Sequence, residues 1–309
     1  MRLLIFLLLL SAPAWAGERG GSLVVRTNDG RKQFTLAADR AWQLEAPKKE
    51  RFDASGLAFW NGKLLTLNDR DSELYEIVLG TNQVAALQRT PFFPHASVAK
   101  AALKSEPRYD AEGIAVDSAG NLYISEESQR SIFRSSPDGK TVERLPIDWT
   151  PVKKFFGRDP NASFEGIAMS ETKLYVANER DAARIIVVDR TSWRVEDSFF
   201  VDSSAFAFGG PHYSDLSFWN GRLYVLDRNH RAIFEVDPST RTVLAEFSFA
   251  QMELSEEFVY RTAYPTGTME GLAVDAAFFW LVTDNNSFGR VKYLRDGRPT
   301  LFRCPKPKG

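Results

Sequence analysis

Five positions in this 309-residue chain hold small polar or acidic side chains in one repeated setting: Ser55, Glu112, Glu165, Ser214 and Glu270. Each is followed by glycine except Ser214, which is followed by Asp215. Asp53 and Asp110 stand two residues before the first two. Brought to a common point, these side chains form a set of hard oxygen donors, the kind that Ca²⁺ takes first and Mg²⁺ second. Carboxylates about 6 Å apart repel by about 2.8 kcal/mol at an effective dielectric near 20. Three of them therefore stay together only with a cation or with raised pKa values. The expected metal ligands are Ser55, Glu112, Glu165, Ser214 and Glu270. Two other roles are open to the same residues. The Glu-Gly pairs serve as packing grammar if the glutamate bonds to neighbouring backbone and the glycine permits close approach. Glu165 is also a candidate catalytic carboxylate.

A second polar series follows at a fixed distance: Asn68-Asp69-Arg70, Ser125-Glu126-Glu127, Asn178-Glu179-Arg180, Asp227-Arg228-Asn229 and Asp284-Asn285-Asn286. Mixed carboxylates and guanidinium groups on one face suit a small polar or phosphorylated ligand. The expected contacts are Asp69, Arg70, Glu127, Glu179, Arg180, Asp227, Arg228 and Asp284, with the arginines meeting the anion. His212, two residues before Ser214, is the second catalytic candidate, as a general base. Gly-x-Ser-x-Gly, His-Glu-x-x-His, Cys-x-x-Cys and phosphate-binding glycine loops are absent from the sequence.

The elements that must position these residues form a repeat. The five anchors recur every 49–57 residues, and each heads a unit that reads as four strands. A short apolar run such as Gly113-Ile114-Ala115-Val116 is followed by a turn, of which Asn61-Gly62 and Asn220-Gly221 are the strongest hairpin signals. A second strand, as in Leu122-Tyr123-Ile124 or Leu223-Tyr224-Val225, ends in the polar cluster. A third strand and a fourth, alternating one complete the unit. In the fourth unit Val243, Ala245, Phe247 and Phe249 share a face. Four-stranded units at this period predict an all-β chain, a β-propeller of antiparallel blades, because neighbouring sheets bury each other's faces. Five copies carry the anchor and favour five blades. Residues 22–46 add strand-like sequence that closes the ring or makes a sixth. Short helical turns fit only near 98–102 and 251–257. In a propeller the first strand of each blade lines the channel, so the anchors converge at one end of the axis.

The first sixteen residues stand apart. Arg2, the run Leu3–Leu10 and Ala14-Trp15-Ala16 read as a secretory signal peptide, too short to span a bilayer. Residues 17–309 are then one propeller domain, periplasmic or secreted, with no membrane span. Lys and Arg total 39 against 40 acids, so no basic surplus exists to neutralise phosphates in series and nucleic acid is not a partner. The remaining partners are the small ligand above or a periplasmic protein. The lone Cys304 cannot form an internal disulfide and is expected to be buried without a chemical role.

The run DAEGIAVDSAGNLYISEESQRSIFRSSPDGKTVERLPID, followed by NASFEGIAMSETKLYVANER, resembles the "esterase-like activity of phytase" propellers. The anchor order also looks like that of the SdiA-regulated periplasmic propellers. The resemblance spans about residues 50–295. It implies a channel lined by Glu112, Glu165 and Glu270, Ca²⁺ binding, and an esterase or phosphoesterase label. Ser214-Asp215 departs from the Glu-Gly pattern, and the dense acidic loops of alkaline phytases are missing. Two functions follow from the residues and the resemblance together. One is a non-catalytic channel that binds a divalent cation and a polar ligand or partner. The other is a Ca²⁺-dependent hydrolase of phosphoesters, esters or lactones.

Overall fold

The computed structural model describes residues 25–26, 30–71, 73–90, 110–159, 162–180, 182–203, 210–263 and 266–307. The signal-peptide segment and the expected turn at 98–102 lie outside them. Three N-terminal strands, β1 (Val25–Arg26), β2 (Lys32–Thr35) and β3 (Arg40–Glu45), precede a series of antiparallel meanders. The first comprises β4 (Ala54–Trp60), β5 (Lys63–Asn68), β6 (Glu73–Leu79) and β7 (Val84–Arg89). The second is β8 (Ala111–Val116), β9 (Leu122–Glu126), β10 (Ser131–Ser135) and β11 (Val142–Arg144). The third is β12 (Phe164–Met169), β13 (Lys173–Asn178), β14 (Arg184–Asp189) and β15 (Val195–Phe199). The fourth is β16 (Tyr213–Trp219), β17 (Arg222–Asp227), β18 (Ala232–Asp237) and β19 (Thr242–Ser248). A one-turn helix, Ala250–Glu253, leads on to β20 (Met269–Val274), β21 (Phe278–Thr283) and β22 (Thr300–Pro305).

The first strands β4, β8, β12, β16 and β20 each touch the next, and β20 touches β4, so they form a closed ring. The chain is a β-propeller. The fourth strand beside β22 is β3, antiparallel to it, and the other edge of β3 runs parallel to β7. β2 adds in parallel to the outer edge of β19, with β1 beyond it.

Local sequence explains these elements. Asn61 and Gly62 have φ of 48° and 76°, and Asn220 and Gly221 have 50° and 75°. This left-handed pair is what a two-residue hairpin turn requires. Between adjacent sheets lie apolar layers. One unites Leu67, Ile114, Ile124 and Phe133 from the first and second meanders, and another unites Tyr175, Leu216, Val225 and Phe234 from the third and fourth. Phe247 stacks on Phe34 at 5.0 Å and meets Phe279 at 4.8 Å between ring centroids. Burying each such side chain contributes about 1.5–3 kcal/mol. Cys304 is buried beside Met252, and burial pushes its thiol pKa up, which leaves it unreactive. Among the described residues no helix is long and apolar enough to cross a membrane.

At the axis the inner strands meet backbone to backbone. A Cβ added at Gly113 would lie 2.4 Å from the Glu165 carbonyl oxygen, and one at Gly166 would lie 2.3 Å from the Asp215 Cα. The glycine of the repeated pair is therefore a packing requirement. Each of the five first strands also carries a bulge at or beside the anchor pair, between Ser55 and Leu57, Ala111 and Ile114, Phe164 and Ile167, Tyr213 and Asp215, and Met269 and Gly271. Such bulges re-aim side chains and free backbone groups from the ladder.

Candidate metal centre

One hydrogen bond, repeated five times, builds the mouth of the channel. The backbone N–H of the residue after each second strand donates to the carbonyl of a residue just before the first strand. The pairs are Asp69 to Asp53 (3.0 Å), Glu127 to Asp110 (2.9 Å), Glu179 to Ser163 (2.7 Å), Arg228 to His212 (3.1 Å) and Asp284 to Thr268 (2.8 Å). The polar series after the second strands and the anchors on the first strands therefore share one end of the propeller. The hairpin register explains this, since the first residues of strand one lie opposite the last of strand two, as in Ala111 opposite Glu126.

Two groups of three carboxylates result. Asp69, Asp110 and Glu112 form one, and Glu127, Glu165 and Glu179 form the other; in each group the ligand atoms lie within 4.8 Å of one another. Each group spans two neighbouring sheets. Burial, reinforced by the charges of neighbouring acids, raises the pKa values of Asp69, Glu112, Glu127 and Glu165. Asp69 is pushed up to about 7 and Glu127 to about 8, while Glu112 and Glu165 stand well above the usual carboxylate range. Asp284, raised by burial to about 6, completes the acidic rim.

The serines stitch the ring. The Ser55 hydroxyl lies 2.7 Å from the Glu112 carbonyl oxygen and 2.8 Å from its Oε2, and Ser214 Oγ donates to the Met269 carbonyl at 3.0 Å. Both span adjacent sheets. Glu112 and Glu165 thus sit in separate groups with acids from the second series, and Glu270 contacts Arg228 Nη1.

The fourth sheet differs throughout. Where the other four place Asp69, Glu127, Glu179 and Asp284, it places Arg228. His212 stands where Asp53 and Asp110 do, with its Nε2 against Glu179 Oε1. Burial, then the Arg228 charge, lowers the His212 pKa and favours the neutral imidazole. Asp215 lies on the axis, fully buried. Its Oδ2 accepts the N–H groups of Leu57 (3.1 Å) and Leu272 (2.7 Å), and its Oδ1 accepts that of Leu216 (2.8 Å). Burial raises its pKa well above the usual range.

The remaining expected residues are placed as follows. Asp227 is buried and accepts backbone N–H groups of His212, Asn229 and His230 and the His230 Nδ1 at 2.7 Å, so it folds its loop. Arg180 is held by Glu179 at 2.9 Å and Asp159 at 3.5 Å. Arg70 is exposed. Two residues outside the expected ligand sets, Asp110 and Asp215, matter here. The Asp-x-Glu alternation of Asp110 and Glu112 was the readable signal for the first; Asp215 had none beyond breaking the Glu-Gly pattern. At the far end of the first strands, Phe59, Trp60 and Phe218 line a pocket of about 400 Å³ together with Asp117, Glu171 and Arg190.

The donor sets fit a hard cation. They are carboxylate oxygens, several are buried, and Glu179 Oε2 is buried without any hydrogen-bond partner. These acidic groups could bind a metal.

A family profile described as "Phytase-like: Esterase-like activity of phytase" matches residues 53–287. The chain belongs to this family. Among solved structures, this phytase-like chain is similar to glutaminyl cyclase from Myxococcus xanthus, at 15% identity and a TM-score of 0.58, over 88% of the chain and 96% of that protein. It also matches a gluconolactonase from Xanthomonas campestris (13% identity, TM-score 0.45, 82% and 72% covered) and virginiamycin B lyase from Staphylococcus aureus (11%, 0.43, 92% and 88%). At such identities the likeness shows the fold alone. No curated protein matches the phytase-like chain in sequence.

Proposed function

We propose that the protein binds a divalent cation, Ca²⁺ ahead of Mg²⁺, at the carboxylate end of its channel, and a polar ligand beside it. The observation that carries this reading is the pair of three-carboxylate groups with ligand atoms within 4.8 Å. Glu127, Glu165 and Glu179 would hold the ion in one group, and Asp69, Asp110 and Glu112 in the other. Family membership supports it, and so does the unpartnered Oε2 of Glu179. An export signal in residues 1–16 would place this activity in the periplasm or outside the cell.

A second reading, hydrolysis of an ester, phosphoester or lactone, is favoured by His212. Its Nε2 stands against Glu179 Oε1, which fixes the ring and would leave Nδ1 to take a proton from an attacking water. A bound cation would supply polarisation of the substrate oxygen. Glu165 and Glu179 would then orient the reacting groups, and burial of the mouth would exclude bulk water.

Thermal unfolding in EDTA, then with Ca²⁺ or Mg²⁺ restored, tests the first reading: a cation bound only to the folded state raises the midpoint with its concentration. No shift with any divalent ion would overturn it. Turnover of a broad ester and phosphoester panel, abolished by EDTA and by Glu165→Gln, would establish the second; full cation binding without turnover would remove it.

A further inference from the structure

The fourth sheet breaks the acidic pattern of the mouth at the position after its second strand, and the consequence concerns the ligand. Five positions share one backbone hydrogen bond, so their side chains leave the scaffold from corresponding points. Four are acids and the fifth is Arg228. We infer that Arg228 is the contact for an oxyanionic group of the ligand, held beside the Glu127–Glu165–Glu179 group. This inference rests on the cation reading above and adds the class of ligand to it.

The state of the guanidinium supports an open role. Arg51, in the same rim, closes a two-pronged pair on Asp53, with Nε 2.9 Å from Oδ1 and Nη2 2.6 Å from Oδ2. Arg180 is divided between Glu179 and Asp159. Arg228 meets Glu270 through Nη1, while its buried Nε has no hydrogen-bond partner and Glu270 Oε2 has none either. A planar guanidinium committed to a single-pronged contact keeps donors for a second acceptor, and it matches carboxylate or phosphate in the same plane. Its side chain is one-fifth exposed, so a ligand can reach it.

Its surroundings select what arrives. The Arg228 N–H donates to the His212 carbonyl at 3.1 Å and His212 Nε2 stands against Glu179 Oε1, which sets Arg228 next to the second carboxylate group. Its charge also opposes the rise of the Glu165 and Asp284 pKa values. An anion would be repelled by the carboxylates alone. With a cation among them, the same place offers a cation on one side and a guanidinium on the other, and an oxyanion satisfies both. A neutral ligand offers the guanidinium only an uncharged acceptor, a hydrogen bond about half as strong as one to an oxyanion.

The experiment measures protection of the Ca²⁺-loaded mature protein against thermal unfolding by methylphosphonate, by acetate and by neutral methanol. Comparison is with Arg228→Gln and with the charge-balanced Arg228→Gln/Glu270→Gln, which avoids leaving Glu270 buried and unpaired. The wild type should be protected by an oxyanion and not by methanol, and the stronger of the two anions identifies a phosphoryl or a carboxyl group. The double variant should keep its Ca²⁺ response and bind the anion about tenfold or more weakly, the loss of one charged hydrogen bond. Undiminished anion protection in the double variant, or no anion binding by the wild type, overturns the assignment. If Ca²⁺ itself gives no shift, the cation reading falls; if Ca²⁺ gives a shift and neither anion adds to it, the Arg228 assignment alone falls.

Discussion

Glu165→Gln should stabilise the cation-free protein, an unusual sign for a change at a partly buried polar site. Glu165 shares its group with Glu127 and Glu179, with ligand atoms within 4.8 Å. At that separation and an effective dielectric near 20, each charged pair repels by about 3.5 kcal/mol. The variant deletes two such pairs, about 7 kcal/mol with all three groups charged. Protonation already relieves much of this, since burial and neighbouring acids hold Glu165 well above the usual range and Glu127 at about 8. At about pH 8 Glu127 is half ionised, so part of the relief is lost in the wild type. A residual gain of about 2 kcal/mol is reasonable there, which raises Tm by about 4–8 °C in a chain of this size. Thermal unfolding in EDTA at about pH 8 measures it, followed by Ca²⁺ titration. The wild type should gain strongly from Ca²⁺ and the variant little, so that their order reverses. If Glu165→Gln lowers Tm in EDTA and keeps the Ca²⁺ response, the glutamate is a packing element and the electrostatic reasoning is wrong.

The pH profile of the cation-free protein should carry the same signature. Glu127 and Asp69 have raised folded-state pKa values, so the unfolded chain binds fewer protons than the native one between the ordinary carboxylate range and about pH 8. Stability is then fully present in acid and falls as pH rises through about 7 to 8; urea midpoints that rise across this window in EDTA would contradict it, and added Ca²⁺ should flatten the fall. Asp215→Ala leaves the buried N–H groups of Leu57, Leu216 and Leu272 without an acceptor, a loss of about 3–5 kcal/mol after the carboxyl's own desolvation is recovered. Asp215→Asn keeps an acceptor for two of them and should lose less. A urea-derived loss under about 1 kcal/mol for the alanine variant would show that the axial bonds contribute little.

The fold was legible because a repeat states one instruction many times. Asn61-Gly62 and Asn220-Gly221 marked hairpins whose left-handed φ values the structure carries. Of the four residues expected to share a face along β19, Ala245, Phe247 and Phe249 pack in one layer, while a bulge turns Val243 to the layer on the other face. The site was legible by position and less so by grouping. Glu112 and Glu165 were readable as convergent acids, and Asp69, Glu127 and Glu179 as strand-end acids. Their union required the hairpin register, which carries strand ends to the head of strand one. The bulges were invisible because no residue type demands them. Asp215 illustrates the limit best: a side chain read as a departure from a motif accepts hydrogen bonds from three inner strands, and only the closed ring brings those strands to it.

The double pairing of β3 bears on the order of events during folding. Its partner β7 begins about forty residues downstream, whereas β22 begins about 260 residues away. Contacts across the shorter interval cost less loop-closure entropy. The parallel pairing to β7 can therefore form while most of the chain is still being delivered, and it leaves the opposite side of β3 as an open edge. Ring closure cannot come before residues 300–305 exist as a strand. Until then that edge has unpaired N–H and C=O groups over Arg40–Glu45, the kind of template on which chains join one another. β22 is thus the strand that silences this edge, so a truncation that removes residues 300–305 would unpair β21 and β3 together and uncover an adhesive surface.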